Sequence, residues 1–312
     1  VNSSLPETLP RYSYSQVNAW QSCNTRWRWN YHRQLVPAKT KTFFQVGTLL
    51  HEFLDDFYRE FPDLDWPKFS LRIADIFNNS AVTLDDAALY SLCTKIMKRY
   101  IEQWSPREDQ GITVLATEFI VEEVLTTPMG RQFIFEGYID LMMQQKGLIY
   151  VVDHKSSAAT KFWGDKDYQT LPQMLLYKAV LERRGFKVDR LLYNHINTYT
   201  YADYYAQPLD KVFKRKVLIR GPVEVQNVLQ NFCIAVDEIE EKREKAKGHP
   251  LHVVKNYGSH CSKCAYQQLC VLEMKSISTE STVNTYFKKR EPRPTDPSGF
   301  TPDEEGDGLT DS

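Results

Sequence analysis

Long apolar runs are missing from this sequence. No stretch approaches the roughly 18 residues needed to span a bilayer, and no secretory leader is visible at the N-terminus. These absences exclude a membrane-embedded function. They predict a cytoplasmic protein, nucleoid-associated in a bacterium or in the host cytoplasm if phage-encoded. Net charge is nearly absent too, since 39 basic and 40 acidic side chains leave a formal charge of −1. The balance is uneven, however. Between Pro10 and Lys41 there is no Asp or Glu, while Arg11, Arg26, Arg28, Arg33, Lys39 and Lys41 all fall there. After Arg293 the sign reverses, with Asp303, Glu304, Glu305, Asp307 and Asp311. A neutral average thus conceals a basic stretch suited to phosphate.

The composition, 42% hydrophobic and 25% charged over 312 residues, is that of an ordinary globular protein. After a flexible lead-in over 1–10, Ser13-Tyr14-Ser15-Gln16 opens a helix. Ser13 or Ser15 is its N-cap, and Val17, Trp20, Cys23 and Trp27 form one stripe. A second helix begins near Gln45, with Leu49, Leu50, Phe53, Leu54, Phe57 and Tyr58 at amphipathic spacing until Phe61-Pro62-Asp63. Residues from about 60 to 107 read as a helical insert. Sheet signals follow in Val114 to Val124, Gln132 to Met143 and Leu148 to Asp153, with a turn at 144–147. A crossover helix from about Gln169 to Arg184 stops at Gly185, Arg190 to Asn197 is another strand, and a charged helix spans roughly 222–247. The pattern predicts an α/β fold with a mixed sheet flanked by helices. It forms one domain over 11–275, followed by a disordered acidic tail over 276–312. No internal repeat is present.

Six cysteines without a leader argue for a reducing compartment, where clustered cysteines more often bind metal than form disulfides. Cys93 and Cys233 sit in apolar helical patterns and read as core. Cys23 stands alone near the N-terminus, and Cys261-x2-Cys264-x5-Cys270 lies near the other end. Four thiolates suit tetrahedral zinc or a [4Fe–4S] cluster. Spacing leaves both open, with His260 a further candidate ligand for zinc. Either centre would clamp the N-terminal helix to the C-terminal segment.

Between the cysteines, Asp140 and Asp153-His154-Lys155 fall on what read as adjacent strands. Asp153 and Lys155, two apart on a strand, project from one face. Two converging carboxylates suit Mg²⁺, and a lysine beside them can orient a metal-bound water and offset charge on a phosphate. That combination points to hydrolysis of a phosphodiester. Around Cys23, basic and aromatic residues interleave. Trp20 and Trp27 are expected inside, leaving Arg26, Arg28, Arg33, Trp29 and Tyr31 to meet phosphates and unpaired bases of DNA.

Gly47-Thr-Leu-Leu-His51, Gly137-Tyr-Ile-Asp140, Asp153-His-Lys155 and Gln173-Met-Leu-Leu-Tyr177 occur in that order. Together they resemble the PD-(D/E)XK nuclease superfamily, in its RecB-like branch. The cysteine frame is similar to the iron–sulfur subset of that branch, which includes the CRISPR-associated adaptation exonuclease and the AddB subunit. The resemblance spans about residues 12–272 and departs from the usual pattern at Ile139, where a proline is common. It implies a restriction-endonuclease-like sheet and a [4Fe–4S] cluster on Cys23, Cys261, Cys264 and Cys270. His51, Asp140 and Asp153 would bind Mg²⁺ or Mn²⁺, and Lys155 would be the catalytic lysine. Gln173 and Tyr177, on one helix face, would hold the active site or the DNA backbone. Glu118 is a further candidate ligand, with Glu122, Glu123 and Glu136 competing for that place.

The implied activity is that of an exonuclease on single-stranded or resected DNA in recombination, repair or replication. The second reading is a non-catalytic DNA-binding subunit of a recombination or CRISPR-adaptation complex. No helicase motif is present, so any unwinding partner is another chain. In the tail, Val283-Asn-Thr-Tyr-Phe-Lys-Lys289 resembles a sliding-clamp-binding peptide, with Glu280 where that motif has Gln. It implies a clamp or helicase partner through the tail.

Overall fold

The computed structural model describes residues 6, 8–39, 42–63, 65–79, 87–104, 111–158, 162–199, 203–247 and 249–290. Most of the expected lead-in (1–5 and 7) and the acidic tail from 291 onward lie outside the described residues. In chain order the first elements are β1 (Arg11–Tyr12), α1 (Tyr14–Ser22), α2 (Asn24–Trp27), a π-helical turn (Arg28–His32) and β2 (Leu35–Pro37). Next come α3 (Thr42–Arg59), α4 (Trp66–Asn79), α5 (Ala87–Gln103), β3 (Ile112–Thr126), β4 (Gln132–Gln145) and β5 (Leu148–Ser157). They are followed by α6 (Asp165–Gln169), α7 (Gln173–Arg183), β6 (Arg190–Asn197), α8 (Leu209–Val212), β7 (Phe213–Leu218) and α9 (Pro222–Lys245). A 3-10 turn (Ser259–Lys263), α10 (Gln267–Met274), α11 (Glu280–Tyr286) and β8 (Phe287–Lys289) close the chain. The sheet is mixed, in the order β1-β4-β5-β6-β7 with β3 also paired to β4, and helices flank it.

The chain forms two compact units. The first comprises residues 1–41, 121–137 and 221–293. Within it β1 runs parallel to the start of β4, Arg11 opposite Ile134. Ser13 caps α1 by accepting from the Gln16 amide at 3.3 Å. Helix α9 packs Phe232 against Phe133 and Phe135 of β4. Asp237 of α9 accepts from Thr127 Oγ1 at 2.6 Å and pairs with Arg131 at 3.1 Å. Trp20 and Trp27 are buried as expected and meet edge to face at 5.2 Å.

The expected structureless tail is corrected here, because its first part is folded. Strand β8 pairs antiparallel with β2, Phe287 opposite Pro37. Phe287 stacks on Tyr266 at 5.5 Å, and Val283 packs beside it on Trp29, Leu35, Tyr266 and Leu269. Polar composition suggested disorder, yet Val283 and Phe287, half-buried at i, i+4 spacing, pack one side of this short helix–strand segment on the small core. The stretch that resembles a clamp-binding peptide is therefore engaged within its own unit.

The second unit comprises residues 42–120 and 138–220 among those described. Strands β5 and β6 are parallel, from Tyr150 opposite Arg190 to Ser157 opposite Asn197. Strands β6 and β7 are antiparallel, as are the end of β4 and the start of β5. One sheet face carries Leu141, Met143, Val152, Leu192, Ile196 and Phe213. It meets the apolar stripe of α3 (Leu49, Leu50, Phe53, Phe57), with Phe69 of α4 and Cys93, Met97 and Tyr100 of α5. Helix α7 packs on the other face of β5. The approach of α3 to β5 is close, since a Cβ at Gly47 would lie 2.9 Å from Ser156 Oγ.

Candidate active site

The β4–β5 ladder stops at Leu141 opposite Val152. Beyond that point β5 stays paired to β6, while its amide at His154 no longer faces a β4 carbonyl in the ladder. That donor turns to Asp140 instead, and the His154 amide donates to Asp140 Oδ2 at 2.6 Å. One turn along α3 from Gly47, His51 presents Nδ1 at 3.7 Å from the same carboxylate oxygen.

The third member of the group is Glu118, in the middle of β3. Its backbone has φ 45°, a left-handed conformation rare for a residue with a side chain. Such a kink breaks the two-residue alternation of a strand and redirects the side chain, as bulges beside functional sites do. Ligand atoms of His51, Glu118 and Asp140 all lie within 4.8 Å of one another, the only such group among the described residues. His51 and Glu118 line an open cleft of about 600 Å³, together with Gly47, Thr48, Glu52, Asp55 and Ser156.

The structure thus separates Glu118 from its competitors. Glu122 and Glu136 are both taken by Arg11 in the other unit. Asp153, read from sequence as a third ligand, stands outside the close group. Lys155 Nζ lies 2.8 and 2.7 Å from its two oxygens. Lys155 Nζ also donates to Gln173 Oε1 at 3.2 Å, and Gln173 Nε2 donates to Tyr177 OH at 3.0 Å. The spacing of Gln173 and Tyr177 on α7 places both on the face that meets Lys155, so the row Asp153–Lys155–Gln173–Tyr177 is continuous.

Burial makes this pocket hostile to uncompensated negative charge. Glu118 is pushed up to about 8, first by burial and then by Asp140 and Asp55. Asp140 is raised to about 6 by burial, against the opposing pull of the His154 amide and Lys155. Asp153 is also raised to about 6 by burial, with Lys155 opposing and Asp140 reinforcing the shift. Burial lowers His51, favouring the neutral imidazole that can ligate. Two carboxylates and a neutral imidazole around one point, open to solvent on the cleft side, fit a divalent cation that keeps part of its water shell.

The four clustered cysteines lie in the first unit. Cys23 joins α1 to α2, Cys261 sits in the 3-10 turn, Cys264 caps it and Cys270 is in α10. All four line one cavity of about 150 Å³, with Tyr257, Val271 and Met274 among its walls. No three of their sulfurs come within 4.8 Å of one another. Cys93 and Cys233 are buried, as expected for core residues.

The residues expected to face DNA divide. Trp29 is corrected: at 2% exposure it belongs to the core with Leu35, Tyr266 and Leu269. The π-helical turn at Arg28–His32 widens the helical repeat, so α-helical spacing misplaces this ring. Arg28 is half-buried against Glu273, Tyr31 lies under Arg290 and Arg33 is exposed. Arg26 borders the cysteine cavity.

A family model described as the PD-(D/E)XK nuclease superfamily matches residues 11–271. No curated protein matches the chain in sequence. Among solved structures, the chain is similar to a protein of Eubacterium rectale with a provisional exonuclease designation. That pair shares 13% identity at a TM-score of 0.44, covering 81% of this chain and 96% of the other. It is also similar to LHK-Exo, solved in complex with dAMP, at 15% identity and a TM-score of 0.28, covering 67% of this chain and 99% of that one. Neither superposition is close enough to transfer the role of a residue. With a match over most of its length, the chain belongs to the PD-(D/E)XK nuclease superfamily.

Proposed function

We propose that this protein is a Mg²⁺- or Mn²⁺-dependent deoxyribonuclease, acting as an exonuclease on single-stranded or resected DNA ends. The observation that carries the reading is the convergence of ligand atoms of His51, Glu118 and Asp140 at the edge of a cleft that His51 and Glu118 line. A bound divalent cation supplies an acidified water and neutralises charge on a phosphate oxygen. His51, Glu118 and Asp140 would hold it. Lys155 brings the positive charge beside the scissile group, and Asp153 and Gln173 fix the position of its ammonium. Tyr177 in turn orients the Gln173 amide. The test is digestion of end-labelled single- and double-stranded DNA with Mg²⁺, Mn²⁺ or EDTA. Mononucleotides or short products released from an end, only with metal, support the proposal. Intact DNA under every metal condition, or cleavage that persists in EDTA, contradicts it.

The four cysteines fit a [4Fe–4S] cluster in this reading. What supports it is that all four line one cavity. Protein purified without oxygen is expected to be brown, with absorption near ~400 nm that bleaches on reduction. A colourless protein containing one zinc and no iron contradicts the cluster while leaving the nuclease reading intact.

A further inference from the structure

The residue between Asp153 and Lys155 has no task in the reading above, yet the structure buries and pins it. His154 points to the opposite face of β5 from its two neighbours and is 4% exposed. On β6, Asn194 lies in register opposite it. Asn194 Nδ2 is 2.8 Å from His154 Nδ1, and with an amide N–H as the donor the ring nitrogen accepts.

The same amide donates to Tyr100 OH at 2.8 Å, which is 2.7 Å from Tyr58 OH. Arg215 Nη2 donates to Tyr58 OH at 2.9 Å, and its guanidinium stacks on Trp104 at 3.7 Å. The His154 ring lies parallel to Tyr58 at 5.8 Å and meets the His51 ring edge to face at 6.0 Å. One residue thus touches two of the three clustered ligands: its backbone amide holds Asp140, and its buried ring backs His51.

We propose that His154, pinned by Asn194 and backed by Tyr58 and Tyr100, is a positioning residue that sets Asp140 and His51 for the cation. The proposal rests on the metal-dependent reading of the cleft. A buried, hydrogen-bonded row has few alternative arrangements, so it fixes the β5 backbone where the β4–β5 ladder has ended. Partners beyond the ligands themselves commonly govern metal affinity by about 10- to 100-fold.

The test is Mn²⁺ binding by the full chain, read from loss of the free-ion EPR signal. Thermal melts are run in parallel, and cleavage is measured across a Mn²⁺ series. Asn194→Leu and His154→Leu are expected to weaken Mn²⁺ binding about tenfold or more, with cleavage recovering as Mn²⁺ is raised. His154→Asn, which keeps an acceptor near the Nδ1 position, is expected to bind more tightly than His154→Leu. Tyr100→Phe removes one hydroxyl and keeps the ring, so it decides the matter if a leucine variant fails to fold, with an expected loss of about threefold. A purely structural role lowers melting temperatures but leaves the affinity of the folded protein unchanged. Folded variants that bind Mn²⁺ within about twofold of wild type overturn the proposal. A wild-type protein that binds no Mn²⁺ overturns the metal site itself, a result distinguishable from the first.

Discussion

At the scale of single residues, the site divides labour between two faces of β5. Asp153 and Lys155 project toward α7, while His154 turns to the helical side. The ammonium of Lys155 is fixed by Asp153 and Gln173, so removing any of the three disturbs the charge at the proposed site. Lys155→Ala or Asp153→Ala is expected to reduce cleavage by roughly a thousandfold, while binding to single-stranded DNA survives. Gel-shift and digestion assays on the same preparations check both halves, and undiminished cleavage by both variants refutes the assignment. Gln173→Ala is expected to have a smaller effect, about tenfold, because the Asp153 contact remains.

At the scale of elements, positioning depends on how closely helices approach the sheet. Gly47 lets α3 sit against Ser156, one turn before His51. Gly47→Leu is expected to push α3 from β5, costing about 1–3 kcal/mol in stability and lowering activity more than Leu71→Ala, a change at an exposed position of α4. Denaturant midpoints and cleavage rates measured together decide this, and an unchanged midpoint contradicts the packing account. The same scale explains what sequence could and could not disclose. Asp140, Asp153 and Lys155 were legible as a group because adjacent strands and the two-residue strand period bring them together, whereas His51, Gln173 and Tyr177 entered only through the family resemblance. Glu118 could not be chosen from the neighbouring glutamates because a left-handed residue breaks the alternation on which such a choice rests. Trp29 was misplaced because a π turn breaks the helical period, and Phe287 because a short polar segment hides its apolar face. Strand β7 carries Lys214, Arg215 and Lys216 and so lacks a strong hydrophobic signature.

At the scale of the whole molecule, the His51–Glu118–Asp140 group and the four clustered cysteines lie in different compact units. The clustered carboxylates lie in the unit of residues 42–120 and 138–220, the four cysteines in the other. Cys261→Ser is therefore expected to abolish the brown colour and lower the melting temperature by about 5 °C, the shift that ~2 kcal/mol produces in a chain of this size. Mn²⁺ binding should persist. Calorimetry and Mn²⁺ titration on that variant test the separation, which fails if metal binding disappears along with the colour. The folded end of the tail belongs to the cysteine-bearing unit. Phe287→Ala is expected to cost about 2 kcal/mol, less than a fully buried phenylalanine, and an unaltered denaturation midpoint would show that β8 contributes nothing.

The most direct test of the central claim is cleavage of end-labelled single-stranded DNA by wild type and Glu118→Gln across a Mn²⁺ series. The substitution keeps the shape of a side chain that the structure, more than the sequence, places with His51 and Asp140. Wild type should cleave only with metal, and the variant should need at least about tenfold more Mn²⁺ for half-maximal rate. Identical Mn²⁺ curves for the two proteins, or cleavage by wild type without any divalent metal, would contradict it.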